Sequence, residues 1–336
     1  MHVAIIGGAS TIATTVAHTL AGVTPTVDVS LVDINEGAAW AHAKDITHAT
    51  YHFSNAPEST TSGDEVGTIR SATPDELAEL DPDFIVFNAA ASQPEDATDR
   101  GAREAELGRN LPIVESVVED LKPLDPTPLL VVTNPIDRLV YQFYSLLEWP
   151  RRCFLGYSLS ETARMADAIG SELSVPQNDV YCPMMGEHGE NVVPILSRTR
   201  VDGETVETEH LDRQDLLEYV RDIPFEIAKE RGVPETSRWV TSAGITRVIR
   251  SVIAGSSNGG DSHYGRLGGP FCLSTPLLGE YGYENLALSV PVDLDADGVR
   301  EIHEWDLAPE ESDGLAEAAD AVRVDLERIG AKGYGG

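Results

Sequence analysis

The stretch "HVAIIGGASTIATTVAHTL", residues 2–20, decides the fold of this chain. Its first residues form a short apolar run that ends in glycines, which is typical of a strand buried on both faces. Ile12, Val16 and Leu20 then recur every fourth residue and predict a helix with Ser10 as its N-cap. A strand that turns directly into a helix N-terminus presents backbone N–H groups and the positive end of the helix dipole. The stretch therefore predicts a pyrophosphate-binding turn at the start of an α/β fold.

The turn itself carries fewer glycines than a full dinucleotide fingerprint, because Ser10 and Ala13 stand where the later glycines are expected. Alone it fits an ordinary strand–helix turn nearly as well. Asp33 strengthens the cofactor interpretation, since an acid at the end of the second strand receives the ribose hydroxyls and disfavours a 2′-phosphate; the alternative is that Asp33 only caps the following turn. Together they predict NAD rather than NADP. The candidate cofactor-binding residues here are Gly7, Gly8, Ser10, Thr11, Ile12 and Asp33.

The first half of the chain repeats the strand–helix pattern. Further short apolar runs at 27–34, 83–90 and 128–135 are separated by helical stretches. This rhythm predicts an α/β domain of the Rossmann type, a doubly wound parallel sheet, over residues 1–150.

The second half, residues 151–336, has a different sequence pattern. Asp202-Gly203 between two extended runs (199–206) predicts an antiparallel hairpin. Helical stretches at 211–231 and 236–255 precede a glycine-rich loop at 254–269 and an extended run at 286–295. The last helix presents one apolar stripe, formed by Leu315, Ala319, Val322, Leu326 and Ile329. We expect a mixed α+β substrate domain.

The composition limits the possible partners. The chain has 24 Lys+Arg against 56 Asp+Glu, a formal net charge of -32, so we expect no nucleic-acid partner and no binding to an anionic membrane. The acidic residues are scattered, which favours a surface adapted to concentrated salt over the alternative of an acidic protein in ordinary cytosol. The N-terminus lacks a signal-peptide pattern, and we expect a cytoplasmic protein. Cys153, Cys182 and Cys272 are too dispersed for a disulfide framework or a metal site, so no metal is expected.

Polar motifs further along the chain indicate the chemistry. "GEHGE" (186–190) places His188 in a glycine-flanked turn, where it is either a surface histidine or a general acid/base titrating near neutral pH. "ETAR" (161–164) places Glu161 and Arg164 on one face of a helix, where an isolated pair would be a surface ion pair. "VVTNP" (131–135) contributes Asn134, and Arg103 precedes Asn110 by seven residues.

In this order, over the whole chain, these motifs resemble the lactate/malate dehydrogenase family. The resemblance implies that His188 transfers the proton at the substrate oxygen and that Glu161 orients and charges that histidine. It further implies that Arg164 grips the substrate carboxylate, that Arg103 polarises the carbonyl from a mobile loop, and that Asn134 holds substrate and nicotinamide. A homo-oligomer, dimer or tetramer, is expected on the same ground.

The chain departs from the family pattern at several positions. The family acid is usually aspartate, whereas Glu161 is one methylene longer. The loop at 89–103 is about four residues longer than usual and places Gln93 at the selectivity position, where lactate enzymes commonly have glutamine and malate enzymes arginine. A lactate/pyruvate-like substrate is therefore favoured. Two alternatives stay open: malate dehydrogenation through Arg100, and a non-catalytic dinucleotide-binding protein.

Overall fold

A computed structural model describes residues 1–23, 27–52, 66–92, 103–232, 237–256 and 270–331 of the 336-residue chain. The strands of its first half are β1 (His2–Ile6), β2 (Asp28–Val32), β3 (Ile69–Ala72), β4 (Phe84–Phe87), β5 (Leu129–Val131) and β6 (Phe154–Gly156). They form a parallel sheet with the strand order β3-β2-β1-β4-β5-β6. The helices between them are α1 (Thr11–Val23), α2 (Glu36–Thr50), α3 (Leu77–Leu80), α4 (Arg103–Leu121) and α5 (Ile136–Leu146).

The strand order reverses between β1 and β4, which makes their carboxyl ends the switch point of a doubly wound sheet. The strand residues are almost all buried, because helices cover both faces of the sheet. The predicted Rossmann-type sheet is thereby confirmed. Its parallel series includes β6, which lies past residue 150, where we expected the first domain to end.

The second half extends the same sheet in antiparallel fashion. Its strands are β7 (Val180–Tyr181), β8 (Met184–Gly186), β9 (Val192–Pro194), β10 (Arg200–Val201), β11 (Glu204–Thr205), β12 (Phe271–Leu278), β13 (Glu284–Asp295) and β14 (Gly298–Ile302). β12 pairs with β6 through Ser274 and Gly156, and the order continues as β12-β13-β8-β9, with β14 beside β13. The helices are α6 (Leu159–Leu173), α7 (Arg213–Arg231), α8 (Arg238–Ser256) and α9 (Pro309–Arg328).

Several local predictions are confirmed in this half. β10 and β11 form the expected hairpin, and Asp202 and Gly203 both adopt positive φ, 52° and 84°, as a tight hairpin turn requires. The apolar stripe of α9 is buried, except that the helix ends before Ile329, which lies in its C-cap. Most of the predicted loop at 254–269 lies outside the described residues, and α8 continues to Ser256.

Two apolar clusters fix the elements that carry the candidate site. The larger cluster runs from the parallel sheet to α9. The smaller one packs Met165 and Ile169 of α6 against Met184 of β8, Val192 of β9 and Leu216 of α7. Because α6 and the β8–β9 hairpin share this cluster, the side chains between them are held in a fixed relation.

The cysteines behave as small buried side chains, as predicted. All three are free and buried, and burial raises the pKa of Cys153 to about 11 and that of Cys182 to about 12. Thiols of this kind stay protonated and unreactive near neutral pH. None of the helices in the described ranges is long and apolar enough to cross a membrane.

Candidate active site

The turn after β1 packs so closely against the neighbouring backbone that its first two residues must be glycine. Gly7 has a φ of +82°, and a Cβ there would lie 2.6 Å from the backbone nitrogen of Ala89. A Cβ on Gly8 would come within 2.7 Å of the backbone of Leu31. The N–H groups of both glycines donate to the carbonyl of Val32, at 2.9 and 3.0 Å. The turn therefore packs between the ends of β2 and β4, at the switch point of the sheet, and the N-terminus of α1 follows it directly.

Ser10 has a structural role at the position where a glycine is usual. Its Oγ accepts hydrogen bonds from the backbone N–H of Ala13, at 3.1 Å, and from Nδ2 of Asn88, at 2.5 Å. The first bond is the predicted helix cap, and the second ties the turn to the end of β4. Thr11 and Ile12 are the first residues of α1, where helix geometry aims backbone N–H groups out of the helix. The contribution of Asn88 was missed from the sequence, although its place after a buried strand at the switch point was a usable signal.

Asp33 joins the end of β2 to the same turn. Its Oδ2 accepts from the N–H of Ala9 at 2.9 Å, and its Oδ1 accepts from the N–H of Asn35 at 2.8 Å. The second bond is the turn cap considered as an alternative in the sequence; the first brings the carboxylate beside the glycine turn. A tight glycine cradle, a helix N-terminus and an adjacent carboxylate are the features that an adenosine ribose and its pyrophosphate require, so these residues fit NAD.

The second half of the site lies between α6 and the loop that joins β8 to β9. Nδ1 of His188 lies 2.8 Å from Oε1 of Glu161, so the longer acid reaches the histidine despite replacing aspartate. The Glu161 side chain is 4% exposed and that of His188 14% exposed. Burial raises the pKa of the Glu161 carboxyl, but the adjacent His188 and, less strongly, Arg164 lower it, and the net pKa lies below the ordinary value. Glu161 is therefore a carboxylate beside the imidazolium form of its partner.

Arg164 follows Glu161 by one helical turn and is half-buried on the same side of α6. Its Nη2 donates to Oγ of Ser237, the residue that precedes α8, at 2.5 Å. The sequence pattern did not single out Ser237. Its only signal was its position at the beginning of a predicted helix.

Asn134 stands between β5 and α5, at the carboxyl edge of the parallel strands. Its side chain is exposed, and its carbonyl accepts from Nδ2 of the buried Asn110, at 2.7 Å. Oδ1 of Asn110 in turn accepts from the N–H of Ala91, at 2.9 Å. Asn110 thus ties the loop after β4 to the Asn134 turn.

The remaining predicted site residues come from the loop after β4. Arg103 is the first residue of α4, and its side chain is not among those described. Gln93 and Arg100 lie outside the described residues. The structure thus brings together Glu161, His188 and Arg164 and leaves the loop residues as predictions.

A buried cluster of ion pairs, which was not predicted, contacts the loop that joins β8 to β9 and carries His188. Arg138 of α5 contacts Oε1 of Glu187 and donates from Nε to Asp325 of α9, at 2.9 Å. Glu187 also accepts from Asn191 across the loop. The loop that carries His188 is therefore anchored to α5 and α9.

Comparison with known proteins agrees with this geometry. The profile described as lactate/malate dehydrogenase, NAD binding domain, matches residues 1–155, and the profile of the alpha/beta C-terminal domain matches residues 161–332. Malate dehydrogenase from Halobacterium salinarum is 27% identical over 97% of this chain and 99% of its own length. L-lactate dehydrogenase from Salinibacter ruber is 29% identical over 95% of this chain and 94% of its own.

The solved structure of malate dehydrogenase from Salinibacter ruber superposes with a TM-score of 0.80 at 25% identity, covering 98% of both chains. The acidic composition of this chain fits the halophilic sources of such relatives. Both profiles together cover nearly the whole sequence, in the order in which the two halves of the structure carry the cofactor turn and the histidine. The chain belongs to the lactate/malate dehydrogenase family and is an NAD-dependent dehydrogenase.

Proposed function

We propose that this protein interconverts a small L-2-hydroxy acid and its 2-keto acid, with lactate and pyruvate as the preferred type of substrate. The observation that carries the proposal is the contact of 2.8 Å between His188 and the buried carboxylate of Glu161, with Arg164 on the same helix. This pair supplies a proton donor, and the arginine supplies a carboxylate-binding group. The same contact argues against a non-catalytic dinucleotide-binding protein. A buried ionised acid beside a histidine is costly, and that alternative gives it no role.

His188 transfers the proton in this mechanism. An ionised Glu161 lies 2.8 Å from Nδ1 and favours a hydrogen on that atom, so Nε2 is the atom that exchanges a proton with the substrate oxygen. NAD, when bound, supplies the hydride acceptor or donor for carbon 2 of the substrate. As the keto acid is reduced, the oxygen gains negative charge and takes the proton from Nε2. The carboxylate of Glu161 stabilises the imidazolium that must form before each such transfer.

The other residues hold the substrate. Arg164 is a planar, permanently charged group that pairs with the substrate carboxylate through two hydrogen bonds, and its contact with Ser237 fixes its orientation. In the same proposal Arg103 lies over the substrate carbonyl and Asn134 contacts both substrate and nicotinamide. Gly7, Gly8, Ser10, Thr11, Ile12 and Asp33 hold the cofactor.

The preference for a monocarboxylate rests on Gln93, because a neutral amide leaves the second carboxylate of oxaloacetate unpaired in a closed site. Malate dehydrogenation is the second candidate. Several halophilic relatives are named malate dehydrogenase, which favours this candidate. Arg100, seven residues after Gln93 in the sequence, would supply the cation that pairs with the second carboxylate.

Two measurements test the proposal. His188→Asn removes the proton donor while leaving the cofactor turn intact, so turnover should fall by at least about two orders of magnitude while NADH still binds by fluorescence titration. Near-normal turnover in that variant would contradict the role of His188.

Substrate choice is tested by kcat/KM for pyruvate and oxaloacetate at molar KCl, in wild type, Gln93→Arg and Arg100→Gln. We expect wild type to prefer pyruvate and Gln93→Arg to move the preference toward oxaloacetate. A wild-type preference for oxaloacetate that Arg100→Gln abolishes would overturn the lactate assignment and make Arg100 the selectivity residue.

We also propose that the protein acts in the cytoplasm as a homo-oligomer, a dimer or tetramer. Exposed tryptophans support an assembled state, since Trp40 of α2 and Trp239 of α8 are each 61% exposed. Light scattering after size exclusion at molar KCl should give a mass of at least two chains; a single-chain mass would contradict the proposal.

A further inference from the structure

Asp137 lies in the first turn of α5, next to the Asn134 turn, and is completely buried. Its Oδ2 accepts a hydrogen bond from the backbone N–H of His188, at 2.8 Å, across 51 residues of sequence. Glu161 reaches the same histidine from α6 but contacts its ring. Two acids therefore hold His188: Glu161 contacts its ring, and Asp137 accepts a hydrogen bond from its backbone.

The surroundings of Asp137 do not favour a second buried carboxylate. Burial raises the pKa of Asp137, Glu187 raises it further, and Arg138, Ser274 and the N–H of His188 lower it, with a net shift upward. The one cation in this set, Arg138, is already bonded to Glu187 and to Asp325. Among the described residues, Oδ1 of Asp137 has no hydrogen-bond partner of standard geometry, although the hydroxyl of Ser274 is buried beside it. An uncompensated charge there would be costly.

We propose that Asp137 is a positioning residue that holds the backbone of His188 as a neutral carboxylic acid, while Glu161 holds the ring as a carboxylate. One oxygen accepts from the His188 N–H, and the protonated oxygen faces Ser274. The two acids therefore have different roles. The carboxylate of Glu161 stabilises the positive charge of the imidazolium, and the neutral acid of Asp137 holds the His188 backbone in place without adding a second negative charge. The inference rests on the proposed role of His188 in proton transfer.

Position and charge have different kinetic consequences. A loose His188 backbone displaces Nε2 from the substrate oxygen, and a displacement of about 1 Å can cost about 100-fold in rate. Most of the residues proposed to bind NADH lie in the turn after β1 and at Asp33, on other elements than Asp137, so we expect the affinity for NADH to be unchanged. A loss confined to kcat, with unchanged NADH affinity, therefore distinguishes positioning from general damage to the fold.

The experiment compares three variants with wild type at molar KCl. Asp137→Asn keeps an oxygen for the His188 N–H and puts an amide where the acid proton was, and it carries no charge in any state. Asp137→Ala removes the acceptor. Leu139→Ala, a buried truncation on the same helix, is the matched control for lost stability. For each protein, kcat and KM for the better keto acid, the pH profile of kcat/KM, the dissociation constant of NADH and the unfolding midpoint are measured.

We expect Asp137→Ala to lose about 10- to 100-fold in kcat with NADH affinity unchanged, and Asp137→Asn to recover kcat to within about threefold of wild type with an unshifted pH midpoint. Leu139→Ala should lower the unfolding midpoint with little change in kcat. A kcat of Asp137→Ala equal to that of wild type, or matched by Leu139→Ala, would overturn the positioning role. A pH midpoint that moves downward in Asp137→Asn would show that wild-type Asp137 is ionised and overturn the neutral form. If wild type itself turns over neither keto acid, the proposed function fails, which is a separate result.

Discussion

Replacing Glu161 by glutamine keeps the size of the side chain and removes its charge. In the structure this charge lies 2.8 Å from Nδ1 of His188, and the acid is almost completely buried. At that distance, and with an effective dielectric constant of about 20, two unit charges attract by about 6 kcal/mol. Desolvation offsets part of this attraction, and removing one partner of a buried pair costs about 3–5 kcal/mol. The protonated form of His188 is destabilised by this amount in the variant.

The loss is expected in kcat, because the imidazolium is needed for proton transfer to the substrate. Each 1.36 kcal/mol in the barrier is a factor of ten in rate, so kcat for keto-acid reduction should fall by about two to nearly four orders of magnitude. The assay is NADH oxidation at saturating substrate in molar KCl, with NADH affinity measured separately by fluorescence.

Two further variants make the result interpretable. Glu161→Asp keeps the charge but shortens the reach, and we expect a smaller loss than with glutamine. Glu172→Gln makes the same chemical change at an exposed position of α6 and should behave as wild type. A Glu161→Gln enzyme with kcat within about threefold of wild type would refute the assignment of Glu161 as the partner that charges His188.

Three further outcomes follow from the structure. Asp33→Ser should narrow the gap between NADH and NADPH affinity, because the carboxylate beside the glycine turn repels a 2′-phosphate; a wild-type preference for NADPH would contradict this role. Unfolding midpoints should rise from low to molar KCl as the charge of -32 is screened, whereas a flat profile would count against adaptation to salt. Burial lowers the pKa of His2, and the Arg70 cation lowers it further. The free energy of unfolding should therefore fall as the pH drops below about 6.5. An equal fall in the His2→Gln variant would exclude this histidine as the cause.

The sign of the last effect follows from the contacts of His2. Its Nδ1 lies 2.9 Å from the carbonyl of Leu80, and its Nε2 lies 2.8 Å from Oγ of Ser30, which also accepts from Arg70. The folded state thus favours the neutral ring, with Nε2 accepting. The unfolded chain takes up a proton near the ordinary histidine pKa, before the folded chain does, so protons favour unfolding.

Periodic patterns were sufficient to predict the fold. Apolar runs predicted β1, β2, β4 and β5 of the parallel sheet but not the short strands β3 and β6. The four-residue spacing of Ile12, Val16 and Leu20 predicted the helix that follows the glycine turn. The ends of elements were less predictable, because they depend on local contacts. α9 ends before Ile329, for example, and the parallel series continues to β6.

The candidate site was predictable where a family motif carried it and not where tertiary contacts did. "GEHGE" and "ETAR" singled out His188 and Glu161, and the structure brings them into contact. Asp137 and Arg138 look like ordinary helix residues in the sequence, because nothing local indicates that α5 passes under the histidine loop. Ser10 stands where a glycine is expected in the sequence, and its hydrogen bond with Asn88, the residue after β4, is a tertiary contact that no local pattern indicates.

The acidic surface and the candidate site respond differently to salt, and this allows both to exist in one molecule. A chain with 56 acidic and 24 basic residues repels a 2-keto acid anion at low ionic strength. At about 1 M salt the screening length falls to about 3 Å, so repulsion from surface carboxylates many ångströms away is removed. The contacts that hold the site, such as that of Glu161 with His188 at 2.8 Å, are shorter than this length and are buried from mobile ions. Concentrated salt therefore admits the substrate anion without weakening the pair that protonates it.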